Sequence, residues 1–259
     1  MADSARFPAP AFDARLNPSV PPAAPDEGAW RPVYAIGDIH GRHDLLLRML
    51  RLIEADSALP KTLVFLGDVV NRGPHTCQVL NRLIAGPDRP ADRWIVLRGN
   101  HDQAMLDALT ATDGDDFHRW LKRGGMQTLA SYGGTRKDAT PARARALIDR
   151  RHLDFLASLP LTHLAGDYLF VHAGVAPRVK LTDQSPAALM TIREPFLKKR
   201  HRLPYTVVHG HTPTDGDPLL GPGRIGIDTG AYATGILTCL AVDQRTNRHR
   251  FLRVTGSAG

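Results

Sequence analysis

Three short apolar segments, each followed by glycine and then by Asp or Asn, constrain the fold of this chain more than any other feature. The segments VYAIGD, TLVFLGD and WIVLRGN place Asp38, Asp68 and Asn100 at intervals of 30 and 32 residues. Helix-like apolar patterns follow them, for example HDLLLRMLRLIEA after the first. A strand, a helix and their connections need about 30 residues, so consecutive βαβ units are predicted. The polar ends would then share the carboxyl edge of a parallel sheet, where α/β folds bind ligands.

The C-terminal third returns to strand-like segments that end in the same way. YLFV is followed by His172, and YTVVHG is followed by His211. Glycine lies beside nearly all of these positions and permits a sharp exit from the strand. One such residue alone is typical of a turn or of a satisfied core side chain. Five strand ends that are each followed by Asp, Asn or His predict a shared metal site.

The predicted metal site has more ligands than one tetrahedral ion needs. The candidates are Asp38, His40, Asp68, Asn100, His172 and His211. Oxygen and imidazole ligands suit Mn, Fe, Zn, Co or Ni. Six ligands predict two divalent metal ions about 3.5–4 Å apart with one bridging carboxylate, an arrangement that clamps phosphoryl oxygens and acidifies a water. Arg72 and Arg98 lie nearby in sequence, and guanidinium groups match phosphate oxygens, so hydrolysis of a phosphoester or phosphoanhydride is predicted.

Composition and charge limit the partners and the cellular compartment that are expected. The formal net charge of +7 over 259 residues suits an anionic partner, but no long basic run favours nucleic acid. There is no stretch of 18 apolar residues, so a membrane partner is not expected. Cys77 and Cys239 do not make a disulfide framework, and a reducing cytoplasm is the expected compartment.

The chain divides into two predicted parts. Residues 1–31 are rich in Pro and Ala, lack the pattern of a secretory signal and are expected to be a disordered leader. Residues 32–259 are expected to form one catalytic domain. Within it, residues about 113–159 have helical patterns broken by glycine and predict a helical insertion that walls one side of the cleft. Pro141 after Thr140 is typical of a helix start.

Five motifs in order, GDIHG, GDVVNRG, RGNHD, VHAG and HGHT, resemble the signature of the phosphoprotein phosphatase family of calcineurin-like metallophosphoesterases. The resemblance runs from about Val33 to Val254. It implies an α/β fold, a four-layer αββα sandwich with two mixed sheets between helical layers. It also implies direct in-line attack on phosphorus by a metal-bound hydroxide, with Mn²⁺ as the expected metal.

The resemblance also assigns roles to individual residues. Asp38 and His40 would bind the first metal, Asp68 would bridge, and Asn100, His172 and His211 would bind the second. Arg72, Arg98 and Arg193 would hold the substrate phosphate. His101 would be the general acid that protonates the leaving oxygen. His209, beside His211, would be a neighbour of the ligands.

Two positions near the catalytic acid depart from the protein phosphatase pattern. Asn71 replaces an Asp that hydrogen-bonds the general-acid histidine in the family, and Asp102 replaces a Glu. We expect the Asn71 carbonyl to accept that hydrogen bond from His101, and its missing charge to leave the pKa of His101 lower than in an Asp-containing relative. Both departures resemble the bacterial symmetrical diadenosine tetraphosphate hydrolases, whose leaving group depends less on a strong general acid.

Three functions are therefore compared. The segments WLKRGGMQTLASYGG, TIREPFL and RIGIDTGAYATG resemble bacterial and phage-lambda-type serine/threonine protein phosphatases and favour a phosphoprotein substrate. Asn71 and Asp102 favour the alternative, a symmetrical bis(5'-nucleosyl)-tetraphosphatase acting on dinucleoside polyphosphates. The third, a non-catalytic phosphate-binding protein, is disfavoured because every proposed metal ligand is present.

Overall fold

The computed structural model describes residues 31–110 and 114–258, and ten strands lie in these ranges. They are β1 (Val33–Ile36), β2 (Thr62–Phe65), β3 (Arg93–Val96), β4 (Thr162–Ala165), β5 (Tyr168–Val171), β6 (Thr206–His209), β7 (Leu219–Gly221), β8 (Arg224–Gly226), β9 (Ile236–Asp243) and β10 (Arg248–Thr255). The predicted leader, residues 1–31, lies outside the described residues except for Arg31.

Helices alternate with the first three strands and then occupy much of the middle of the chain. They are α1 (His43–Asp56), α2 (Thr76–Ala85), α3 (Asn100–Thr110), α4 (Gly114–Trp120), α5 (Met126–Ser131), α6 (Pro141–Leu147), α7 (Arg150–Ser158), α8 (Pro186–Thr191) and α9 (Ala231–Thr234). A π-helical turn, Leu121–Gly125, joins α4 to α5. Short 3₁₀ turns span Arg136–Asp138 and Leu181–Asp183.

The first sheet has the strand order β10-β9-β1-β2-β3. As the βαβ pattern predicts, β1, β2 and β3 are parallel. Their register pairs Ile36 with Phe65 and Phe65 with Val96, so the three strands end in line. The polar residues that follow them consequently leave the sheet at one edge.

The second sheet has the order β4-β5-β6-β8-β7, with β5, β6 and β8 parallel. The edge strands β4 and β7 are antiparallel to their neighbours and were not predicted. Phe170 pairs with Val208, and Val208 pairs with Ile225. This register aligns the exits toward His172 and His211 and adds a third exit, after β8.

Alternating side chains along the strands build four layers, which confirms the predicted αββα sandwich. One face of the first sheet packs on the helices through residues such as Ile36 and Phe65. The opposite face meets the second sheet through an apolar cluster that includes Val64 and Phe170. The outer face of the second sheet packs against α8 and the segments on either side of it, through buried residues that include Val175, Leu189 and Phe196. Among the described residues, α8 is the one α-helix in this apolar cluster, whereas several helices pack on the first sheet.

Helix signals in the sequence correspond to local structure. Leu45, Met49 and Ile53 are buried along one face of α1, at the spacing of an amphipathic helix. Thr140 caps α6 by accepting a backbone N–H, and Pro141 begins that helix, as predicted. None of the helices within the two described ranges has the length and hydropathy that a membrane span requires.

Candidate metal centre

The exits of both sheets converge, and the backbone is strained where they do. Six non-glycine residues in the described ranges have positive φ, and five of them belong to the predicted site: His40, Asp68, Asn71, Arg72 and His211. Such conformations cost free energy for residues other than glycine and cluster at functional sites. The sandwich therefore holds these side chains in directions that an unstrained backbone would not give.

Asp68 lies at the centre of the cluster, with a histidine near each of its oxygens. His40 Nε2 is 3.5 Å from Asp68 Oδ2, and His172 Nε2 is 3.5 Å from Asp68 Oδ1. Two groups of possible ligand atoms share this carboxylate: one adds His40 and His101, and the other adds His172 and His211. A carboxylate shared by two ligand groups is the geometry that a bridging ligand requires.

Backbone carbonyls fix the orientation of the two histidines that face Asp68. Nδ1 of His40 lies 2.8 Å from the carbonyl oxygen of Val70, and Nδ1 of His172 lies 2.9 Å from that of Leu66. A carbonyl only accepts, so each Nδ1 carries the proton and each Nε2 presents a lone pair. This is the arrangement by which proteins hold metal-binding imidazoles.

Asn100 and Asp38 complete the two ends of the cluster. Asn100 Oδ1 lies 3.1 Å from Nε2 of His172. Asp38 accepts the backbone N–H of His211 at 3.2 and 3.3 Å. The structure thus brings together all six predicted ligands. His209 lies outside the cluster, against the ring of Phe196.

Asp228 is a further buried carboxylate at this edge that the sequence reasoning did not assign. It follows β8, accepts the Gly230 N–H at 3.0 Å and adjoins Asp38, whose pKa its charge helps to raise. Asp228 comes two residues after β8, so the rule that polar residues follow strand ends would have found it.

The electrostatics of the cluster fit a cation. Burial raises the pKa of Asp68 to about 7 and that of Asp228 to about 6, because removal from water penalises the charged carboxylates. Burial lowers the pKa of His172 to about 4, so its imidazole is neutral. Lone pairs of His172, Asn100 and Asp68 therefore face one another without a proton between them. The donor set fits divalent metal ions of the kind that nitrogen and oxygen ligands bind.

Asp102 supports the centre from behind rather than facing it. Its Oδ2 accepts the N–H groups of Asp68 and Gly99 at 2.9 and 2.8 Å, and its Oδ1 accepts those of Val69 and Val70 at 3.0 and 3.3 Å. Asp102 thus fixes the loop that presents the central carboxylate. The backbone also packs closely here, since a Cβ at Gly99 would lie 2.2 Å from Asp68 Oδ1.

Asn71 contacts His101, but in the orientation opposite to the expected one. Its Oδ1 accepts the indole N–H of Trp120 at 3.0 Å and the hydroxyl of Thr128 at 2.9 Å. An indole N–H only donates, so the amide orientation is determined, and Nδ2 donates to Nδ1 of His101 at 3.0 Å. The expectation that the Asn71 carbonyl would accept from His101 is wrong, because Trp120 and Thr128 already occupy that oxygen.

The second nitrogen of His101 also faces a donor. Arg72 Nη2 lies 3.2 Å from His101 Nε2. Burial, followed by the charge of Arg72, lowers the pKa of His101 to about 3. A neutral imidazole has one N–H and one lone pair, so His101 can accept from only one of these two donors, and neither donor favours the imidazolium.

The three arginines that were predicted to bind the substrate phosphate lie in different surroundings. The Arg72 guanidinium stacks 4.2 Å from the ring centroid of Tyr232, another residue that the sequence reasoning missed. Arg193 donates to the carbonyl of His211 at 3.5 Å. Arg98 is not brought into the cluster: its guanidinium donates to Gln103 Oε1 at 3.0 Å and to the Ala157 carbonyl.

The middle helices reach the site through Gly124, in the π-helical turn. The carbonyl of Gly124 accepts the Arg72 N–H at 3.3 Å, and Gly124 has φ of +105°. A Cβ there would lie 2.5 Å from Arg72 N, so only glycine permits the approach. This contact places Trp120 and Thr128 beside Asn71. Both residues lie in the segment WLKRGGMQTLASYGG, but nothing in that segment linked them to Asn71, which is 49 and 57 positions away.

Comparison with known proteins agrees with the fold. Residues 31–235 match the calcineurin-like phosphoesterase family, and the chain belongs to that family.

Its relatives divide between two named activities. Symmetrical bis(5'-nucleosyl)-tetraphosphatases from Delftia acidovorans and Methylococcus capsulatus are 38% and 34% identical over 56% of this chain and 45% and 44% of their own lengths. Serine/threonine-protein phosphatase 1 from Salmonella typhimurium is 35% identical over 37% of this chain and 40% of its own. The matches thus span less than half of each relative.

A solved structure described as a candidate diadenosine tetraphosphatase has the same fold. It aligns with a TM-score of 0.65 and 23% identity over 90% of this chain and 96% of its own. A yeast protein serine/threonine phosphatase aligns with a TM-score of 0.56 and 15% identity over 88% and 81%. At these identities the alignments show the fold alone.

Proposed function

We propose that this chain hydrolyses symmetrical dinucleoside tetraphosphates to two nucleoside diphosphates. In that reaction the oxygen of one water bonds to an inner phosphorus, and the bond from that phosphorus to the central bridging oxygen breaks. One nucleoside diphosphate leaves with the bridging oxygen, and the other gains the water oxygen. The observation that carries the proposal is the Asn71 amide, which donates to His101 instead of accepting from it.

The environment of His101 supports a leaving group that needs little protonation. A general acid must hold a proton near the working pH, and the low pKa of about 3 keeps His101 neutral there. A serine alkoxide is a strongly basic leaving group and depends on an acid. A nucleoside diphosphate is a far weaker base, because its terminal phosphate has a second pKa of about 6, as phosphate monoesters do. The phosphoanhydride is therefore the better match to this site.

The remaining residues of the site bind and orient the phosphates. His40, Asp68, His172 and their neighbours would hold two divalent ions, proposed to be Mn²⁺, which when bound neutralise phosphoryl charge and acidify water. Arg72 and Arg193 would supply fixed positive charge to the same oxygens. Stacking on Tyr232 limits the rotation of the Arg72 guanidinium and so orients it. Asp102 keeps the Asp68 loop in place and does not face the substrate.

The named relatives support the same choice. The two symmetrical tetraphosphatases match over 146 and 145 residues, and the serine/threonine phosphatase matches over 97. Protein serine/threonine phosphatase activity, which the sequence motifs favoured, becomes the second candidate. The observation in its favour is the position of Arg193, from the TIREPF segment, beside His211.

The test compares two substrates under identical conditions with Mn²⁺. Diadenosine tetraphosphate and a phosphoserine peptide are supplied to the full chain, and products are separated by chromatography. We expect the dinucleotide to have the higher kcat/KM by at least about a hundredfold, near 3 kcal/mol of transition-state stabilisation. Two equivalents of adenosine diphosphate are the expected products.

The product pattern and a metal-site control make the outcome decisive. Formation of adenosine mono- and triphosphates would contradict symmetrical cleavage, and faster turnover of the peptide would establish the second candidate instead. Asp68→Asn measures the background that does not depend on the metal centre.

A further inference from the structure

The loop between α8 and β6 is strongly basic. Residues 192–203 contain five Lys or Arg side chains and a single carboxylate, Glu194. Glu194 is already paired with Lys198 at 2.7 Å. Four of the five residues in Lys198–Arg202 are exposed, and the fifth, His201, is buried. The other four Lys or Arg side chains in residues 192–203 therefore have no carboxylate in the same segment to balance their charge.

His201 has a ring nitrogen without a partner. The side chain is 5% exposed, and Nε2 lies 2.7 Å from the Gly223 carbonyl, to which it donates. Within the described residues, Nδ1 of His201 is buried and has no hydrogen-bond partner. Buried polar atoms are rarely left in this condition, and a bound group is one explanation for it.

Arg224 lies next to Gly223 and is also incompletely satisfied. Its residue is 8% exposed, and Nη2 donates to the Leu197 carbonyl. Among residues 31–110 and 114–258, Nε and Nη1 of Arg224 have no hydrogen-bond partner. A guanidinium does not lose its proton in proteins, and a buried unpaired charge is costly. A nearby anion would offset this cost.

His201 also borders an open cavity. Arg200, His201, Arg202 and Leu203 line a space of about 450 Å³. We propose that this cavity is a second anion site, which takes a phosphate group and is separate from the metal centre. Arg200 and Arg202 would bind the phosphate oxygens directly, and the buried charge of Arg224 would strengthen the local positive potential.

Phosphate fits this set of groups better than a carboxylate does. Its tetrahedral oxygens can accept from two guanidinium groups at once. The site lies on the segment that carries Arg193, since Leu197 N–H donates to the Arg193 carbonyl at 2.8 Å. An anion bound here would consequently restrain the loop that brings Arg193 to the metal centre.

Binding is measured by calorimetry on the full chain after metal removal with a chelator. One arm of the experiment uses inorganic phosphate as the ligand, and the other uses adenosine diphosphate. All variants also carry Arg72→Gln, which weakens phosphate binding at the metal centre. We expect Arg200→Gln with Arg202→Gln to weaken binding at least about tenfold, as the loss of charge-assisted hydrogen bonds implies. The matched control, Lys198→Gln with Lys199→Gln, removes the same charge from the same loop but no cavity residue, and should change affinity less than about twofold.

The outcomes separate the sources of the phosphate group. Binding in the first arm identifies free phosphate as a ligand, and binding in the second arm alone identifies a nucleotide-borne phosphate. Equal weakening in both double variants, or no binding in the Arg72→Gln background, would overturn the proposal. Because binding is read without metal, it does not depend on which substrate the metal centre hydrolyses.

Discussion

Asp68 and Asn71 lie three residues apart in one loop, yet different parts of the chain hold them in place. Asp68 is fixed by its own strand end and by Asp102, from the neighbouring strand-end motif. Asn71 is fixed by Trp120 and Thr128, 49 and 57 residues away in the middle helices. In the proposed function, Asp68 and the residues around it would hold the metal ions and so determine the reaction class. Asn71 and the residues that fix it would adjust His101, and through His101 the preferred leaving group.

The largest effect should come from the Asp68 side. Asp68→Asn keeps the shape and an acceptor oxygen but removes the charge shared by both ligand groups. We expect kcat on every substrate to fall at least about a thousandfold, near 4 kcal/mol, because metal catalysis supplies several kcal/mol of charge stabilisation. Steady-state kinetics and the metal content of the purified variant check this. Asp88→Asn, on an exposed carboxylate, is the control; retention of full activity by Asp68→Asn would contradict the bridging role.

The next effect is on stability and should also be independent of substrate. The two oxygens of Asp102 each accept two backbone N–H groups. In Asp102→Asn one oxygen becomes an NH₂ group, which cannot accept, so one of the two pairs of N–H groups loses its partner. Two buried unpaired N–H groups predict a loss of about 2–4 kcal/mol in the free energy of unfolding. Urea denaturation measures this loss. Asp107→Asn, exposed on the same helix, should cost less than about 0.5 kcal/mol; equal losses would mean that Asp102 does not hold the loop.

The same contrast explains what the sequence could predict. All six predicted metal ligands follow strands, and strand ends are local signals that parallel pairing converts into proximity. The orientation of Asn71 depends on Trp120 and Thr128, which reach it only because Gly124 lets the middle helices approach. Such contacts across the fold have no local signature. Asn71 therefore lies beside His101 as predicted, but it contacts His101 through the amide nitrogen and not through the predicted carbonyl oxygen.

Substrate preference should respond to the Asn71 side. In Asn71→Asp one carboxylate oxygen can still accept from Trp120 and Thr128 while the other accepts from Nδ1–H of a protonated His101, which raises the pKa of that imidazole. Turnover of the phosphoserine peptide should rise about 10–100-fold, within the range that a general acid contributes. Turnover of the dinucleotide should change less than about threefold, because its leaving group needs little protonation.

Paired kinetics on the two substrates check the Asn71→Asp prediction. Asn81→Asp, which adds the same charge on the exposed face of α2, is the matched control and should leave the substrate ratio unchanged. Parallel changes in both substrates would mean that Asn71 does not act through His101.

The smallest expected effect concerns the residue that orients Asn71. Trp120→Phe keeps an aromatic ring against Phe117 but removes the indole N–H that determines the amide orientation. The Asn71 carbonyl can then turn toward His101 in part of the population, which should shift the substrate ratio toward the peptide by about threefold, near 0.65 kcal/mol. A double-mutant cycle sharpens the test, since a carboxylate has no amide orientation to lose. In the Asn71→Asp background the shift from Trp120→Phe should therefore vanish, whereas an equal shift in both backgrounds would assign Trp120 to packing alone.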